Sequence, residues 1–233
     1  MSGASSDSTA PPVVVEHVTK TFRRGPETIT AVDDVSLRLH PGELVALLGP
    51  SGAGTSAMLE LVLGWQRPDA GSVTGDDSPP DWRRLAVVPQ QLGLLPHLTF
   101  FENVELAVRS TGERVGGRDA DIDAMLGGLG LDGLADRFPG ETSLGEQQRC
   151  AVARCLITRP RMVIADEPTS HQDDRSADRI IDALLAAVAM GAAVLVATHD
   201  RRITARSSRV LTMLDGRLFD EPLDWSPGGE SNP

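Results

Sequence analysis

The stretch from Leu44 to Leu63 constrains the fold of this chain more than any other. Residues 44–48 are five consecutive apolar residues, a pattern typical of a strand that is buried on both faces. Residues 49–56 are rich in glycine and predict a tight turn, and residues 56–63 have the apolar spacing of a helix. A buried strand, a glycine-rich turn and a helix in this order form the context of a phosphate-binding loop.

One residue of this loop departs from the expected motif. Gly49 and Gly54 occupy the two glycine positions of G-x-x-x-x-G-K-[ST], and Ser56 occupies the position of the hydroxyl that holds Mg²⁺. Thr55 stands where the motif has lysine. A threonine hydroxyl lacks the charge and the reach of an ammonium that touches the β- and γ-phosphates. Loss of one such donor typically costs about 3–4 kcal/mol of transition-state stabilisation, so we expect hydrolysis to suffer more than binding.

Main-chain groups are therefore expected to supply most of the binding. The amides of residues 53–56 are expected to point into the concavity of the loop, and the N-terminus of the following helix favours an anion. The only lysine of the chain is Lys20, so no other lysine near the loop replaces the missing one. The motif alone is also compatible with an unrelated glycine-rich turn, and the rest of the chain has to decide.

The composition limits the classes of partner. The formal net charge of −11 at pH 7 argues against binding of nucleic acid, which needs a basic face. Cys150 and Cys155 have no histidine at metal-ligand spacing, so we expect neither a zinc site nor a disulfide framework. The longest apolar run, residues 183–197, is shorter than the roughly 20 residues of a bilayer span. We expect a helix end, a turn and a buried strand there, and a membrane link only through a partner.

The pattern of polar and apolar residues predicts one α/β domain, residues 13–223. A disordered leader, residues 1–12, and a disordered tail, residues 224–233, are expected on either side of it because both are polar and rich in small residues. Predicted strands lie at residues 13–15, 35–39, 44–48, around Val73, 85–88, 162–165, 193–197 and 210–214. Continuous apolar strands that alternate with helices favour a parallel sheet covered on both faces.

Helical patterns dominate a middle segment, which we expect to form an inserted subdomain at about residues 91–159. Thr99 and Glu102 form a capping box that predicts a helix start. A second helix is predicted near residues 122–129, after a charged, glycine-rich loop at residues 112–118. Ser143 is expected to cap a third helix that runs to Leu156, and a later helix is predicted at residues 176–189.

Polar residues follow the buried strands where chemistry is expected. Asp166 and Glu167 come directly after a strand, where a phosphate-loop enzyme needs one carboxylate for Mg²⁺ and a second to polarise the attacking water. His199 closes the next buried strand, and Gln90 also ends a strand. Taken singly, an Asp-Glu-Pro sequence is more typical of a solvated helix start, a histidine in such a place is usually structural, and a lone glutamine carries no signal.

Taken together, in this order and spacing, these residues resemble the ATP-binding subunits of ABC transporters from Val13 to Glu221. The match comprises residues 49–56 as Walker A, Gln90 as the Q-loop glutamine, residues 142–149 as the signature motif, Asp166 and Glu167 as Walker B and catalytic glutamate, Asp173 as the D-loop aspartate and His199 as the switch histidine. The sequence around residues 94–104 is similar to the subfamily that serves macrolide and lipoprotein export permeases.

The resemblance implies a phosphate-loop NTPase fold with a RecA-like parallel-sheet core, an N-terminal antiparallel β part and the inserted helical subdomain. It implies binding of ATP and Mg²⁺ between two subunits arranged head to tail, with a transmembrane permease as the further partner and a place on the cytoplasmic face of the cell membrane. Ser143 and Gly145 would then cap the γ-phosphate of the opposite site. Phe22 would stack on adenine, although it is also compatible with the edge of the core.

The resemblance thus assigns a set of candidate site residues. Glu167, His199 and Gln90 are the catalytic candidates, and Ser56, Gln90 and Asp166 are the candidates for Mg²⁺. The candidates for nucleotide binding are Phe22, Gly49, Pro50, Ser51, Gly52, Ala53, Gly54, Thr55, Ser56, Ser143, Gly145 and Asp173.

Three departures from the family pattern leave the activity open. Thr55 replaces the lysine, Leu144 replaces a signature glycine, and Thr142 and the pair His171-Gln172 are unusual. One hypothesis is an ATPase subunit that energises a permease, with weak or partner-dependent hydrolysis. A second is a nucleotide-binding switch with little or no turnover, paired with a competent partner subunit. A third is a regulator or scaffold outside transport. The sequence leaves open the transported substrate, the direction of transport and the choice between a homodimer and a heterodimer.

Overall fold

The computed structural model of the protein describes residues 13–74, 84–111 and 120–220. The expected leader and tail and the predicted loop at residues 112–118 lie outside these ranges, and so does a turn that the sequence Ser78-Pro79-Pro80 predicts, so these expectations stay predictions. Within the described ranges no helix is both long and apolar enough to cross a membrane.

The described chain alternates strands and helices. The strands are β1 (Val13–Arg24), β2 (Glu27–Leu39), β3 (Leu44–Leu48), β4 (Ala70–Thr74), β5 (Leu85–Val88), β6 (Met162–Asp166), β7 (Ala193–Ala197), β8 (Arg209–Leu214) and β9 (Arg217–Phe219). The α-helices are α1 (Thr55–Val62), α2 (Phe100–Ser110), α3 (Ala120–Gly128), α4 (Leu144–Leu156), α5 (Asp174–Ala189) and α6 (Arg201–Thr204). A 3₁₀ turn at Pro139–Glu141 precedes α4.

A three-stranded sheet with the order β2-β1-β4 forms the N-terminal β part, and both of its pairings are antiparallel. The second half of β2 alternates buried and exposed side chains, with Val35, Leu37 and Leu39 directed into the core. This alternation is what a strand with one solvated face requires. The expected antiparallel part is therefore confirmed.

The central sheet has six strands in the order β5-β6-β7-β3-β8-β9. The first five strands are parallel, and β9 pairs antiparallel with β8 after the turn at Asp215-Gly216. Every residue of β7 is buried, as the unbroken apolar run predicted. Because β3, β6 and β7 run in the same direction, their carboxyl ends meet at one edge, and this confirms the predicted parallel core.

Two hydrophobic clusters cover the two faces of the central sheet. One cluster packs α2, α3, α4 and α5 on the sheet around Phe100, Ile122 and Ile180. The other packs α1 and the antiparallel sheet on the opposite face around Val35, Leu37 and Met58. A parallel sheet needs both faces covered, because its strands lack a solvated side.

Side-chain caps fix the helix starts that the sequence predicted. Thr99 and Glu102 form the capping box of α2, and Ser143 and Glu146 form that of α4. Helices α2, α3 and α4 lie inside the predicted subdomain, residues 91–159, whose bounds stay a prediction together with those of the domain.

Some elements differ from the predicted ones. α1 begins at Thr55, one residue earlier than expected. α5 begins at Asp174 because the side chain of Asp173 accepts a hydrogen bond from the Ser176 amide and caps the helix there. The helix α6, the strand β9 and the 3₁₀ turn were not predicted.

Candidate functional site

The phosphate loop lies between β3 and α1, and its glycines are required by space as well as by conformation. Gly54 has a φ of 100°, and a Cβ there would collide with the carbonyl oxygen of Ala31 on β2. A Cβ at Gly49 would lie 2.9 Å from the Met213 carbonyl oxygen. The two motif glycines thus let the loop fit tightly between β2 and β8.

The backbone amides of residues 53–56, all expected to point into the loop, differ in their hydrogen bonds. Helix α1 has Gly54 as its N-cap, with no side-chain cap and no acidic residue in its first turn. Within the described residues, the amides of Gly54, Thr55 and Ser56 make no hydrogen bond to the protein. The amide of Ala53 instead donates to the Pro50 carbonyl at 3.0 Å. The prediction that the Ala53 amide points into the concavity is therefore wrong, because the tight turn satisfies that donor locally.

No ammonium approaches the loop in place of the missing lysine. The Thr55 methyl Cγ2 lies 2.8 Å from where a Cβ of Gly49 would stand, so Thr55 packs back against the loop. Lys20 donates to the Arg67 carbonyl at 2.8 Å and to Asp69 Oδ1 at 3.2 Å. The one lysine of the chain is thus fixed to the segment before β4.

The three residues predicted to hold Mg²⁺ line one cavity of about 90 Å³, together with Glu60 and the apolar Trp65. Ser56 lies in the first turn of α1, Gln90 follows β5, and Asp166 ends β6. Burial, and secondarily the neighbouring Glu167 carboxylate, raise the pKa of Asp166. The cavity therefore brings together a hydroxyl, an amide and a carboxylate, which are the oxygen donors that Mg²⁺ prefers.

Glu167 is held in a constrained conformation beside His199. Its φ is 48°, and its amide donates to the Ala197 carbonyl at 2.9 Å. Its Oε1 lies 2.8 Å from His199 Nδ1, and its Oε2 accepts from Thr198 Oγ1 at 3.3 Å. The His199 side chain is 79% exposed, whereas that of Glu167 is 24% exposed. Two of the three predicted catalytic residues, Glu167 and His199, therefore form a pair at the carboxyl edge of the sheet, with the histidine exposed.

The signature segment begins α4 with a complete capping box. Ser143 Oγ donates to Glu146 Oε2 at 2.8 Å and accepts from the Glu146 amide at 3.3 Å. The Ser143 amide also donates to Glu146 Oε2 at 2.7 Å, and this bond, followed by the one from Ser143 Oγ, lowers the pKa of Glu146. A Cβ at Gly145 would lie 3.1 Å from the His171 carbonyl oxygen, and the Leu144 side chain is half exposed. This end of α4 therefore rests on the loop that follows β6.

The remaining nucleotide candidates are not joined to the phosphate loop. Within the described part of the chain, no hydrogen bond links Ser143, Gly145 or Asp173 to residues 49–56. Asp173 caps α5, and bonds from Ser176 lower its pKa. Phe22 lies on β1, partly exposed, with Lys20 Nζ 5.7 Å from its ring centroid.

Sequence reasoning assigned no supporting role to four residues that hold the site in shape. Gln148 is 2% exposed, and its Nε2 donates to the Glu167 carbonyl at 2.9 Å. Gln172 reaches from the loop after β6 to α4. Arg154 donates to the Leu92 carbonyl at 2.8 Å and so holds the segment after Gln90. A polar residue on the buried face of α4 was the one available signal, and it marks Gln148.

Asp200 is the fourth of these residues and joins three segments. It accepts from Thr169 Oγ1 at 2.8 Å and from Arg202 Nη2 at 2.9 Å, and Arg202 also reaches Asp174. Although burial opposes its ionisation, the bonds from Arg202 and Thr169 lower the pKa of Asp200 to about 2. The loop after β7 is thereby tied to the loop after β6.

The two cysteines lie on α4, and Cys155 Sγ donates to the Val87 carbonyl at 2.8 Å. Both are free and buried, and burial raises the pKa of Cys150 to about 12 and that of Cys155 to about 11. Each thiol is therefore protonated at neutral pH.

The loop needs glycine for its shape, it follows a strand of a parallel sheet, and two carboxylates lie at the same edge. These features define the class of phosphate-loop nucleotide-binding proteins. Comparison with known proteins narrows this class. Residues 32–170 match the family described as ABC transporter, and the chain belongs to this family.

Relatives and solved structures agree with this assignment. The chain is 39% identical over 220 residues to the lipoprotein-releasing system ATP-binding protein LolD of Novosphingobium aromaticivorans, covering 89% of this chain and 98% of that protein. It is 33% identical to the macrolide export ATP-binding/permease protein MacB of Burkholderia pseudomallei, with 93% of this chain matched to 35% of that protein. The ATP-binding cassette MJ0796, solved as a dimer bound to ADP and Pi, superposes with a TM-score of 0.80 at 32% identity, covering 88% of this chain and 96% of that one. The resemblance to the macrolide and lipoprotein export type is thereby confirmed.

Proposed function

We propose that this chain is the ATP-binding subunit of an ABC transporter and that it couples ATP binding, with weak or partner-dependent hydrolysis, to a membrane permease. The observation that carries the proposal is the cavity at the carboxyl edge of the sheet, where Ser56, Gln90 and Asp166 meet. A catalytic-type pair, Glu167 and His199, lies at the same edge. Family membership supports the proposal independently of this geometry.

The phosphate tail of ATP is held by main-chain groups in this proposal. The amides of Gly54, Thr55 and Ser56 have no protein acceptor within the described residues, and they stand at the N-terminus of α1. Helix N-termini bind phosphates through such amides and through the helix dipole. The space that a Cβ at Gly54 would need is taken by β2, so only glycine gives the loop this shape.

The cavity residues fit a magnesium ion. Ser56, Gln90 and Asp166 would hold it, since all three present oxygen atoms and the carboxylate is partly buried. When bound, Mg²⁺ neutralises charge on the β- and γ-phosphate oxygens. A nearby cation also relieves the unfavourable ionisation of Asp166, which burial and Glu167 otherwise oppose.

Hydrolysis in this proposal depends on Glu167 and is slow. Glu167 orients the attacking water, and His199 holds that carboxylate at 2.8 Å. Thr55 supplies no charge to the phosphate oxygens, and Lys20 is engaged elsewhere. Without one transition-state donor the rate is expected to be lower by roughly 10²–10³.

A second ATP-binding subunit completes the site. Ser143, Gly145 and Asp173 are apart from the phosphate loop of their own chain, so we propose that a second subunit, identical or different, brings its signature segment to this loop. Phe22 would stack on the adenine, because its ring is exposed on β1. The relative MJ0796 is dimeric in its solved structure, which supports this arrangement.

The permease is proposed to dock beside the Q-loop and to hold the protein at the cytoplasmic face of the membrane. Trp65 is 55% exposed and borders the cavity that contains Gln90, and Leu95 is 44% exposed in the following loop. Exposed apolar side chains of this size favour a protein contact. Arg154 and the buried Asn103 fix this loop to the helical segment, so a movement there would be passed to Gln90.

Thermal unfolding with Mg-ATP tests nucleotide binding. At an ATP concentration 100 times Kd, mass action stabilises the folded state by about 2.7 kcal/mol, which corresponds to a rise of about 5–10 °C for a chain of this size. S56A is expected to lose the magnesium-dependent part of this rise, whereas S110A on α2 keeps it. No rise at millimolar ATP in the wild type would contradict the proposal.

Recovery of a partner from membranes tests the transport role. A tagged chain purified from membranes is expected to bring a multi-span permease with it. Nucleotide binding without any such permease would favour a regulator or scaffold instead.

A further inference from the structure

Gln172 occupies an unusual place between the two halves of the site. It lies in the loop between β6 and α5, and all three of its side-chain hydrogen bonds go to α4. Its Oε1 accepts from Arg149 Nη1 at 2.8 Å, and its Nε2 donates to the Gly145 carbonyl at 3.0 Å and to Gln148 Oε1 at 3.2 Å. Both ends of one amide are thus committed to the signature helix.

The bond to Gly145 reaches Ser143 through a single peptide unit. The Gly145 carbonyl and the Glu146 amide belong to the same planar group, so fixing one fixes the other. The Glu146 amide donates to Ser143 Oγ at 3.3 Å. Gln172 therefore sets the plane of the peptide that holds the Ser143 hydroxyl.

Arg149 strengthens this connection. Its guanidinium is partly buried, its Nε makes no hydrogen bond, and burial lowers its pKa. The bond that it donates to Gln172 Oε1 polarises the amide and makes the Nε2 group a better donor to Gly145. Gln172 in turn supplies a hydrogen-bond acceptor to the Arg149 guanidinium, whose Nε has none.

The same loop carries the catalytic carboxylate. Gln148 accepts from Gln172 and donates to the Glu167 carbonyl at 2.9 Å and to Ser170 Oγ at 3.2 Å. A displacement at the start of α4 therefore reaches Glu167 through two amide side chains, without passing through the apolar core.

We propose that Gln172 is a positioning residue that orients Ser143 through the Gly145–Glu146 peptide, and so sets how strongly the signature end of α4 engages the terminal phosphate held by a second subunit. This inference rests on the proposed function and deepens it. The role is indirect, since Gln172 acts through Ser143, and it concerns the terminal phosphate. Binding of ADP by the phosphate loop of the same chain is therefore expected to be independent of Gln172.

The test compares ADP with the non-hydrolysable analogue AMP-PNP on the full-length protein. Q172L removes all three bonds at similar size, and Q172E keeps an acceptor for Arg149 but presents no donor to Gly145. For both variants we expect ADP affinity within about twofold of wild type by calorimetry. We expect AMP-PNP-driven association of subunits, measured by sedimentation, to weaken at least about tenfold, since two donated hydrogen bonds and the orientation of Ser143 are lost.

H171N is the matched control on the same loop. The His171 side chain is exposed, makes no hydrogen bond within the described residues, and has a φ of 63° that asparagine tolerates. It is expected to associate as the wild type does. If H171N lost as much AMP-PNP-driven association as the Gln172 variants, or if Q172E associated as the wild type does, this inference would be overturned and the proposed function would stand. A wild-type protein that binds neither nucleotide would overturn the proposed function, and this inference with it.

Discussion

The phosphate loop and the junction between α4 and the loop after β6 are both held in a defined shape, but by different parts of the chain. The phosphate loop is shaped by the main chain: Gly54 packs against β2, and the first amides of α1 have no acceptor among the described residues. The junction is shaped by side chains, with Gln148 and Gln172 linking α4 to the segment of Glu167. One region depends on the absence of side chains, and the other depends on particular ones.

This difference explains how the loop keeps the shape of the phosphate-loop motif while lacking the charged group of that motif. A main-chain cradle tolerates Thr55, because the amides and the helix N-terminus do not depend on the side chain at that position. The junction has no comparable freedom, since each amide side chain there serves more than one partner. The contrast predicts that a substitution in the phosphate loop can change turnover without changing nucleotide binding. A substitution at the junction is expected to change the contacts of α4 and of the Glu167 segment together.

The largest expected effect is a gain at the phosphate loop. T55K restores a charged contact to the β- and γ-phosphates and is expected to raise ATP turnover at least tenfold, with an upper bound of roughly 10²–10³. The measurement is steady-state phosphate release at saturating Mg-ATP.

T55A serves as the control for this gain. Its turnover is expected to stay within about twofold of wild type, because one neutral hydroxyl adds little to a main-chain cradle. An unchanged rate in T55K would show that the loop has another source of charge, and the contrast between the two regions would fail.

The next effect tests the shape of the same loop. G54A places a Cβ against the Ala31 carbonyl at a φ of 100°, so it is expected to lose nucleotide binding and to lower the melting temperature by about 6–10 °C. G52A has a φ of 86° but no atom within 4 Å of its new Cβ, so its drop should be about half as large. Equal drops in thermal unfolding would mean that contact with β2 does not shape the loop.

A smaller effect separates folding from binding at the cavity. The pKa of Asp166 is raised in the folded protein, so its contribution to stability is lost as the pH rises through that value. D166N removes the charge and is expected to raise the melting temperature without nucleotide by about 1–3 °C at pH 7, while it abolishes the Mg-ATP shift. The gain should vanish at acidic pH, where wild-type Asp166 is protonated. If D166N melted below the wild type at pH 7, the raised pKa assigned to Asp166 would be contradicted.

The last effect concerns a second side-chain contact, the one that ties the loop after β7 to the loop after β6. Asp200 has a pKa of about 2, below the ordinary 3.8, so the stability that it contributes is complete above pH 4 and is lost as the pH falls towards 2. D200N should lower the melting temperature by about 1–3 °C at pH 7, with the difference from wild type shrinking between pH 4 and 2. A difference that does not depend on pH would show that the carboxylate charge is not what joins the two loops.

Much of the fold followed from local patterns. The parallel strands were predicted because fully buried strands have unbroken apolar runs. The start of α2 was predicted from the capping box at Thr99, and that of α4 from Ser143 as an N-cap residue. β9 has three residues, and α6 has four, so neither shows enough of a period to be recognised.

The candidate site was predicted where motifs have fixed spacing. The family resemblance assigned Ser56, Gln90 and Asp166 to one magnesium site, and the three residues do line one cavity. The contacts of Gln172 were out of reach, because no local pattern shows that its loop packs under α4. The amide of Ala53 was assigned wrongly, because the motif does not reveal that the turn closes onto Pro50.

The Asp215-Gly216 turn has a consequence for how the protein is made. The Gly216 amide donates to the Ala53 carbonyl at 3.1 Å, and β8 pairs with β3 directly before the phosphate loop. The phosphate loop therefore makes contacts with strands that are synthesised long after it. A fragment ending before residue 209 would carry the glycine motif without β8 and without the Gly216 bond beside the loop.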